Sequence, residues 1–281
     1  MKGNDNMNIG IIGLGLIGGS MAKAIKESTS HKVYGYDILE STVLAAQLTK
    51  SVDGILDTET LRECDIVIVS LYPQATVDYV VSNASVFKKD CVVIDCSGVK
   101  RSVCTKLESV AQKNGFTFIG GHPMAGTQFW GFDYSRSSLF KGASMILTPH
   151  STDIAVLEKV KELFIAIGFA DITFTTPEEH DRIIAYTSQL AHVVSNAYVK
   201  SPTALDRKGF SAGSYKDMTR VAKLNENMWT ELFLENRDYL AEEIDLLIKN
   251  LSQYKNALEN NDEAELRKLL KDGRDTKKQA G

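Results

Sequence analysis

A glycine-rich turn between a predicted strand and a predicted helix constrains the fold of this chain more than any other feature. An apolar run at 8–12 leads directly into Gly13-Leu14-Gly15-Leu16-Ile17-Gly18. Gly13 permits a tight turn, Gly15 lets a pyrophosphate approach the backbone, and Gly18 lets the helix pack closely on the strand. Unpaired N–H groups and the dipole at the start of the helix also favour an anion. The motif therefore predicts a dinucleotide-binding site.

An acidic residue at the end of the second predicted strand indicates which dinucleotide binds. Asp37 follows Gly18 by nineteen residues. A carboxylate there accepts hydrogen bonds from the adenosine ribose, whereas the 2′-phosphate of NADP would be repelled by its negative charge. We therefore predict NAD as the cofactor. We also assign Ser70, in the predicted strand at 65–71, to the cofactor site.

Strand-like and helical patterns alternate through the first part of the chain. The predicted strands cover 8–12, 32–36, 65–71, 91–95, 116–119, 143–148 and 170–175. Several of these runs are continuously apolar, as at 67–69, which is typical of parallel strands covered on both faces. We therefore predict an α/β fold in which residues 1–175 form a doubly wound, Rossmann-type domain with a parallel sheet.

The pattern changes at Thr176, a predicted helix N-cap, and only helices are predicted beyond it. One helix is predicted over 177–200, and a second over 226–259 with a length of about 50 Å. A segment of this size hardly buries so long a helix by itself, so a second copy of the chain is the simplest partner. We predict a helical substrate and dimerisation domain over 176–281, with a frayed end from Gly273.

Composition argues against several classes of partner. The net charge of −4 argues against a nucleic-acid partner, which would favour an excess of basic residues. No apolar run reaches the length of a membrane span and the N-terminus lacks a signal-peptide layout, so we expect a cytoplasmic protein. No His, Cys or carboxylate cluster has metal-ligand spacing, so we expect no metal. Buried free thiols are expected for Cys64, Cys91, Cys96 and Cys104.

One histidine is placed for acid–base chemistry. His122 lies in the loop 120–126, directly after the predicted strand at 116–119. Loops at the carboxyl ends of strands line the ligand crevice of an open α/β sheet. An imidazole there can take a proton from a substrate hydroxyl while a nicotinamide takes hydride from the same carbon. The alternative is a loop histidine bonded to the backbone. Surface or structural roles are assigned to His31, His150 and His180.

A polar stripe runs along the otherwise apolar helix predicted over 177–200. Steps of three and four residues place on one face Asp181, Ala185, Ser188, His192 and Ser195. Such a stripe either lines a wet cavity or forms a satisfied internal network, and the residues leave both alternatives open.

Arg220 follows Ser214, the predicted N-cap of a further helix. An arginine near a helix N-terminus is a good carboxylate receptor because its guanidinium forms a bidentate fork. Asp217, three residues earlier, offers the alternative of an ion pair on the helix surface.

Together these motifs resemble the prephenate/arogenate dehydrogenase family of tyrosine biosynthesis. The resemblance covers roughly residues 8–250 and rests on GLGLIGGS (13–20), VYGYD (33–37), GGHPMAG (120–126), TPEEHD (176–181) and KDMTRVA (216–222). GGHPMAG combined with KDMTRVA is far more specific than the nucleotide fingerprint alone.

The resemblance implies NAD-dependent oxidative decarboxylation of prephenate to 4-hydroxyphenylpyruvate, or alternatively of arogenate to tyrosine. It implies that His122 takes the proton of the ring hydroxyl, that Arg220 binds a substrate carboxylate, and that His192 orients the substrate or binds its side chain. The substrate-binding roles that it implies fall on Ser97, Thr127, Gln189, Arg220 and Trp229. The family also implies a homodimer built on the helical domain.

The chain departs from the commoner family pattern in its substrate pocket. Gly98 stands where many members have a serine that bonds the reacting hydroxyl, Gln189 stands where many have a histidine, and Gln128 where many have an acid. We expect that the neighbouring Ser97 does not replace the missing contact, because adjacent residues of an extended segment point to opposite faces. We also expect no fused chorismate mutase and no regulatory ACT domain.

Two other functions compete with this interpretation. Another NAD-linked hydroxyacid dehydrogenase with a helical dimer domain would be expected to use a lysine of that domain as its acid and base, and it would leave GGHPMAG unexplained. A non-catalytic NAD sensor would keep the glycines and Asp37 but would need neither His122 nor Arg220.

Overall fold

A computed structural model describes residues 6–210 and 212–280. Its single sheet has eight strands in the order β3-β2-β1-β4-β5-β6-β7-β8. Their bounds are β1 Asn8–Ile12, β2 Lys32–Tyr36, β3 Gly54–Ile55, β4 Ile66–Val69, β5 Val92–Asp95, β6 Thr117–Pro123, β7 Ser144–Pro149 and β8 Asp171–Phe174. All neighbouring strands are parallel except β6 and β7. The order reverses between β1 and β4, which places a ligand crevice at their carboxyl ends. The predicted doubly wound α/β fold is confirmed.

Helices cover both faces of this sheet. They are α1 Leu16–Ser28, α2 Glu40–Leu48, α3 Thr58–Glu63, α4 Pro73–Asn83, α5 Arg101–Asn114 and α6 Ile154–Ala166. Successive residues of a strand serve opposite faces, since Ile11 belongs to one buried apolar cluster and Ile12 to the other. Two covered faces explain why the strand sequences are continuously apolar.

The observed strands agree with the predicted ones to within two residues, with two exceptions. The short edge strand β3 was not predicted, because two residues carry no periodic signal. Strand β6 continues to Pro123, so His122 lies on the strand and not in a loop as predicted. The cause is the antiparallel partner β7, where Ile146 pairs with His122.

The second part of the described chain is helical. Its helices are α7 Pro177–Ile184, α8 Ala191–Tyr198, α9 Gly213–Thr219, α10 Glu226–Glu235, α11 Arg237–Glu259 and α12 Glu263–Ala280. Residues 185–190 form a π-helical turn that joins α7 to α8, so the helix predicted over 177–200 is present but locally widened. No helix in the described part of the chain is both long and apolar enough to cross a membrane.

The predicted helix over 226–259 is wrong as a single element. It breaks at Asn236, whose side chain is buried and whose amide nitrogen donates to the Asp181 carbonyl and to the Gln189 side-chain oxygen, both at 2.8 Å. These tertiary hydrogen bonds hold Asn236 in a non-helical conformation between α10 and α11. The longest helix, α11, therefore spans about 35 Å instead of about 50 Å.

The predicted fraying from Gly273 is also wrong, because α12 continues to Ala280. Within α12 an ion pair between Arg267 and Glu263, four residues apart, stabilises the helix surface. The hydroxyl of Tyr254 lies 3.3 Å from the Leu269 carbonyl and ties α12 to α11.

Candidate active site

The glycine turn is tightly packed at two of its glycines and open at the third. Gly13 has a φ of +81°, and a Cβ there would lie 2.6 Å from the Ser70 carbonyl oxygen. At Gly18 a Cβ would lie 1.8 Å from the Gly13 carbonyl oxygen. These two glycines are therefore required by the protein itself. At Gly15, in contrast, no atom lies within 4 Å of an added Cβ, so the open space suits the approach of a pyrophosphate.

The predicted ribose acceptor is held at the rim of the same turn. Oδ2 of Asp37 accepts from the Leu14 N–H at 2.8 Å, and Oδ1 accepts from the Leu39 N–H at 3.0 Å. Among the residues that the structure describes, no side chain caps the start of α1, so its first N–H groups are available to an anion. The Ser70 hydroxyl faces the Cys96 thiol without a hydrogen bond of good geometry. These residues fit a dinucleotide without a 2′-phosphate.

A buried ion pair clamps the end of β6 next to the cofactor crevice. The ammonium of Lys100 pairs with the carboxylate of Asp95, and both side chains are completely inaccessible to solvent. Lys100 also donates to the Gly121 carbonyl at 2.6 Å, while the Gly121 N–H donates to Asp95 Oδ1 at 2.9 Å. This bonding fixes the backbone directly before His122.

His122 is hydrogen-bonded to a second histidine. Its Nδ1 lies 2.9 Å from Nε2 of His180, whose own Nδ1 lies 2.7 Å from Oδ1 of Asp181. His122 is partly buried and His180 fully buried. Burial lowers the pKa of His122 well below the ordinary histidine value, and the neighbouring His180 and Lys100 lower it further. His122 is therefore a neutral imidazole, the form a general base requires.

Asp181 anchors this pair of imidazoles to the first turn of α5. Its carboxylate accepts from the Lys100 N–H at 2.8 Å and from the Arg101 N–H at 2.9 Å. Burial opposes ionisation of Asp181, but its bonds to His180 and to these N–H groups outweigh burial and keep its pKa below the ordinary value. The guanidinium of Arg101 extends the network to Asp238 at the start of α11.

A second group of side chains gathers around His192. The rings of His192 and Trp229 lie 4.0 Å apart between centroids, and Nδ1 of His192 lies 2.8 Å from the Ser188 carbonyl. Burial and the positive charge of Arg220 both lower the pKa of His192, with burial the larger cause. The polar stripe predicted along this helix thus has two parts. Asp181 belongs to a buried hydrogen-bond network, whereas His192 is partly exposed.

Arg220 differs from its predicted setting. Helix α9 begins at Gly213 with Ala212 as its N-cap, so Ser214 does not cap it and Arg220 follows its last turn. Arg220 is exposed. Within the described residues no carboxylate lies within 4.0 Å of its guanidinium, so the alternative ion pair with Asp217 does not form. An arginine beside a histidine and without a counter-ion is a suitable receptor for a substrate anion.

Two residues that were predicted to contact the substrate are buried and have internal hydrogen-bond partners. The hydroxyl of Ser97 is buried, 2.5 Å from Asp95 Oδ2 and 3.0 Å from the Val99 carbonyl. The Gln189 amide is buried as well, donating to the Leu232 carbonyl at 3.1 Å and accepting from Asn236. Internal partners therefore bond both polar groups, and their contact with the substrate remains a prediction.

Thr127 lies on an exposed turn after β6. Its Oγ1 lies 3.2 Å from the Phe129 N–H and 3.1 Å from the Phe129 carbonyl. Thr127 is exposed to solvent on the loop that follows His122. Its predicted contact with the substrate remains a proposal.

The prediction missed His180 as a partner of His122 and assigned it a surface or structural role. The two residues are 58 positions apart, and no local pattern relates β6 to α7. One signal was available, since His180 and Asp181 place two polar side chains together in TPEEHD on a helix that also carries Ile183 and Ile184. Both are buried, which the sequence does not reveal.

Dinucleotide binding at the crevice of a doubly wound sheet, with a neutral histidine on β6 held from the helical part, defines the class of two-domain NAD-dependent dehydrogenases. Comparison with known proteins identifies the member of this class. Residues 21–172 match the family described as prephenate dehydrogenase, nucleotide-binding domain, and residues 176–272 match prephenate dehydrogenase, dimerization domain. The chain belongs to the prephenate dehydrogenase family and is an NAD-dependent oxidoreductase.

Individual relatives agree with this assignment. The chain is 30% identical over 275 residues to the prephenate dehydrogenase of Bacillus subtilis, covering 94% of this chain and 74% of that protein. The crystal structure of Aquifex aeolicus prephenate dehydrogenase in complex with hydroxyphenyl propionate and NAD+ matches with a TM-score of 0.88 and 30% identity over 100% of both chains. Synechocystis arogenate dehydrogenase matches with a TM-score of 0.81 and 27% identity, covering 98% of this chain and 100% of that one.

Proposed function

We propose that this chain catalyses the NAD-dependent oxidative decarboxylation of prephenate to 4-hydroxyphenylpyruvate. The observation that carries the proposal is the setting of His122. It is a neutral imidazole at the carboxyl end of β6, on the same edge of the parallel sheet as the glycine turn after β1. A base in that position can reach a hydroxyl on a carbon that faces the nicotinamide.

In the proposed reaction His122 accepts the proton of the hydroxyl on ring carbon C4. NAD bound at the glycine turn would supply the hydride acceptor for that carbon. The ring carboxylate leaves as carbon dioxide, and its bonding electrons make the ring aromatic. The phenolate oxygen formed in this way takes the proton back from His122. The protein contributes a base of lowered pKa, a rigid strand end clamped by Lys100 and Asp95, and a crevice that positions the reacting carbon.

The second group of side chains is proposed to bind the rest of the substrate. Arg220 binds a substrate carboxylate, since it is exposed and no carboxylate of the described chain lies within 4.0 Å of it. His192 orients the substrate, with Trp229 packed against its ring at 4.0 Å. Thr127 completes the pocket from the loop after β6. Catalysis is thus assigned to His122, His192 and Arg220.

The domain organisation follows from the same proposal. We assign the cofactor to residues 1–175 and the substrate and dimer contacts to 176–281. The match of 176–272 to a dimerization domain supports a homodimer. The helical part also has large exposed apolar side chains that could pack in a dimer interface, including Leu246, Leu251 and Leu258.

Arogenate is the second candidate substrate. Synechocystis arogenate dehydrogenase shares the fold over nearly the whole chain. Prephenate and arogenate differ only in the side chain. The amide of Gln189, a predicted substrate contact, is bonded to Leu232 and Asn236.

The decisive experiment measures NADH formation with each substrate. Purified enzyme is mixed with NAD and either prephenate or arogenate, and the absorbance of NADH is followed. We expect turnover with prephenate at the higher kcat/KM. Turnover only with arogenate would reassign the substrate, turnover only with a hydroxyacid would favour the competing dehydrogenase class, and NAD binding without turnover would favour a sensor.

A further inference from the structure

A line of three hydrogen-bonded side chains leads from His122 into the protein. His122, on β6, contacts His180, and His180 contacts Asp181, both on α7. We propose that His180 is a positioning residue, which together with Asp181 keeps the single ring proton of neutral His122 on Nδ1 and so leaves Nε2 as the base. The inference deepens the proposed function, on which it rests for the identity of the proton donor.

The first step of the argument concerns Asp181. Its carboxylate accepts hydrogen bonds from the backbone N–H of Lys100 at 2.8 Å and of Arg101 at 2.9 Å. One of its oxygens lies 2.7 Å from His180 Nδ1. An ionised carboxylate can only accept hydrogen bonds. Its three partners favour the ionised form, as the lowered pKa of Asp181 indicates. Nδ1 of His180 must therefore carry a proton and donate it.

The second step concerns the other nitrogen of His180. Burial lowers the pKa of His180 and outweighs the opposing influence of Asp181, so the ring is neutral. A neutral imidazole with its proton on Nδ1 has a lone pair on Nε2. Nε2 of His180 therefore accepts, and Nδ1 of His122, 2.9 Å away, donates. The lone pair of neutral His122 is left on Nε2.

The third step concerns the proton that His122 receives. When Nε2 accepts the substrate proton, the ring becomes an imidazolium that still donates from Nδ1 to His180. The negative charge of Asp181 then lies one imidazole away. Of the cations nearby, Lys100 pairs with Asp95. Arg101 is shared between Asp238 and Asp181, since its Nε lies 3.3 Å from Asp181 Oδ2. Asp181 therefore stabilises the cation without a second proton transfer.

Variants at His180 separate this role from plain packing. In His180→Gln the amide oxygen can accept from His122 and the amide nitrogen can donate to Asp181, so the pattern of donors and acceptors is kept. In His180→Leu a side chain fills the space without either bond. Asp181→Asn presents an amide N–H where His180 now donates, and so favours the opposite tautomer of both rings. Glu179→Gln and His150→Gln are matched controls. Both side chains are exposed, and neither takes part in the hydrogen bonds of His122, His180 and Asp181.

The primary readout is the tautomer of His122 in the free enzyme. It is measured with ¹⁵N-labelled histidine by long-range ¹H–¹⁵N correlation above the pKa of the rings, with His122→Asn used to assign the signals. We expect the proton of His122 on Nδ1 in the wild type and in His180→Gln. A mixture of tautomers is expected in His180→Leu, and the opposite tautomer in Asp181→Asn.

The second readout is kinetic. We expect kcat to fall about 10- to 100-fold in His180→Leu and in Asp181→Asn, as part of the 10²–10⁴-fold contribution of a general base. KM and NAD affinity should change less than about threefold, and His180→Gln should retain kcat within about tenfold. Glu179→Gln and His150→Gln should resemble the wild type in both readouts.

Several outcomes overturn the proposal. An unchanged His122 tautomer in both His180→Leu and Asp181→Asn would do so, as would kcat within about threefold of wild type in both. Equal losses in His180→Gln and His180→Leu would assign His180 a packing role only. If His180→Leu does not fold, His180→Gln and Asp181→Asn still give the tautomer. If the wild-type enzyme turns over neither prephenate nor arogenate, the proposed function fails, whereas the tautomer of the free enzyme still decides this inference.

Discussion

The hydroxyl of Ser97 lies 2.5 Å from the carboxylate of Asp95, inside the protein and not in the ligand crevice. Asp95 is the acid at the end of β5 and already pairs with Lys100. The turn after β5 therefore points Ser97 at the buried ion pair. Gly98, the next residue, faces Leu232 on α10, since a Cβ there would lie 3.2 Å from a Leu232 methyl group.

Ser97→Ala should lower stability more than catalysis. Loss of a hydrogen bond to a buried charged group costs about 1.5–3 kcal/mol, whereas kcat should change less than about tenfold. Urea unfolding and steady-state kinetics measure the two effects. A loss of kcat of about a hundredfold, with fold and NAD affinity intact, would make Ser97 a contact of the reacting hydroxyl. Gly98→Ser is the companion variant and should be tolerated, because the flexible Leu232 side chain can move by a few tenths of an ångström.

His122→Asn should lower kcat by about 10²–10⁴-fold, since it removes the proposed general base. NAD affinity should hardly change, because no residue of the glycine turn is altered. Steady-state kinetics together with a fluorescence titration of NAD would measure both. A variant within about threefold of wild-type kcat would exclude His122 from the mechanism.

Arg220→Ala should raise KM by roughly ten- to a hundredfold, because it removes a charge-assisted contact worth about 1.5–3 kcal/mol. Lys223→Ala is the control, since Lys223 is another exposed cation that follows α9. An unchanged KM in Arg220→Ala, or an equal rise in both variants, would argue against a specific carboxylate contact at Arg220.

Asp37→Ser should weaken the preference for NAD over NADP. The carboxylate of Asp37 is held at the rim of the glycine turn by the Leu14 and Leu39 N–H groups, where a 2′-phosphate would meet it. The ratio of kcat/KM for the two cofactors is the relevant measurement. Equal efficiency of the wild type with both cofactors would contradict the prediction, and so would a preference for NAD that survives the substitution.

Stability should fall as the pH drops below the ordinary histidine pKa of 6.5. His122, His180 and His192 all have lowered pKa values in the folded state, with burial as the largest cause. Between the folded and the unfolded pKa the unfolded chain binds more protons, so the free energy of unfolding rises with pH through this window. The contribution is complete above 6.5 and is lost as these rings are protonated.

Urea unfolding at several values between about pH 5 and about pH 8 would measure this dependence. The acid limb of kcat/KM should likewise have its midpoint below 6.5, because His122 must be neutral to act as a base. A stability that is flat across this range in the wild type would contradict the lowered pKa values. In His122→Asn the dependence should become shallower.

The α/β fold and the cofactor cradle could be predicted because their signals are local. The first apolar strand, the three glycines and Asp37 lie within one short stretch of chain, and the residue type of each explains its role. Such a turn requires glycine at position 13 because φ is positive there. It requires glycine at position 18 because the helix lies too close to the turn for a Cβ atom. The candidate base His122 was also predictable, because it lies near the carboxyl end of a strand, on the edge of the sheet that holds the crevice.

Tertiary structure decided what surrounds these residues. The contact of His122 with His180 joins residues 58 positions apart, and the break at Asn236 depends on bonds to Asp181 and Gln189 that no helical periodicity encodes. The family resemblance implied substrate contacts for Ser97 and Gln189, yet internal partners bond both side chains. Sequence determines which groups can donate, accept or ionise, whereas burial and long-range hydrogen bonds determine which of them remain free to meet a ligand.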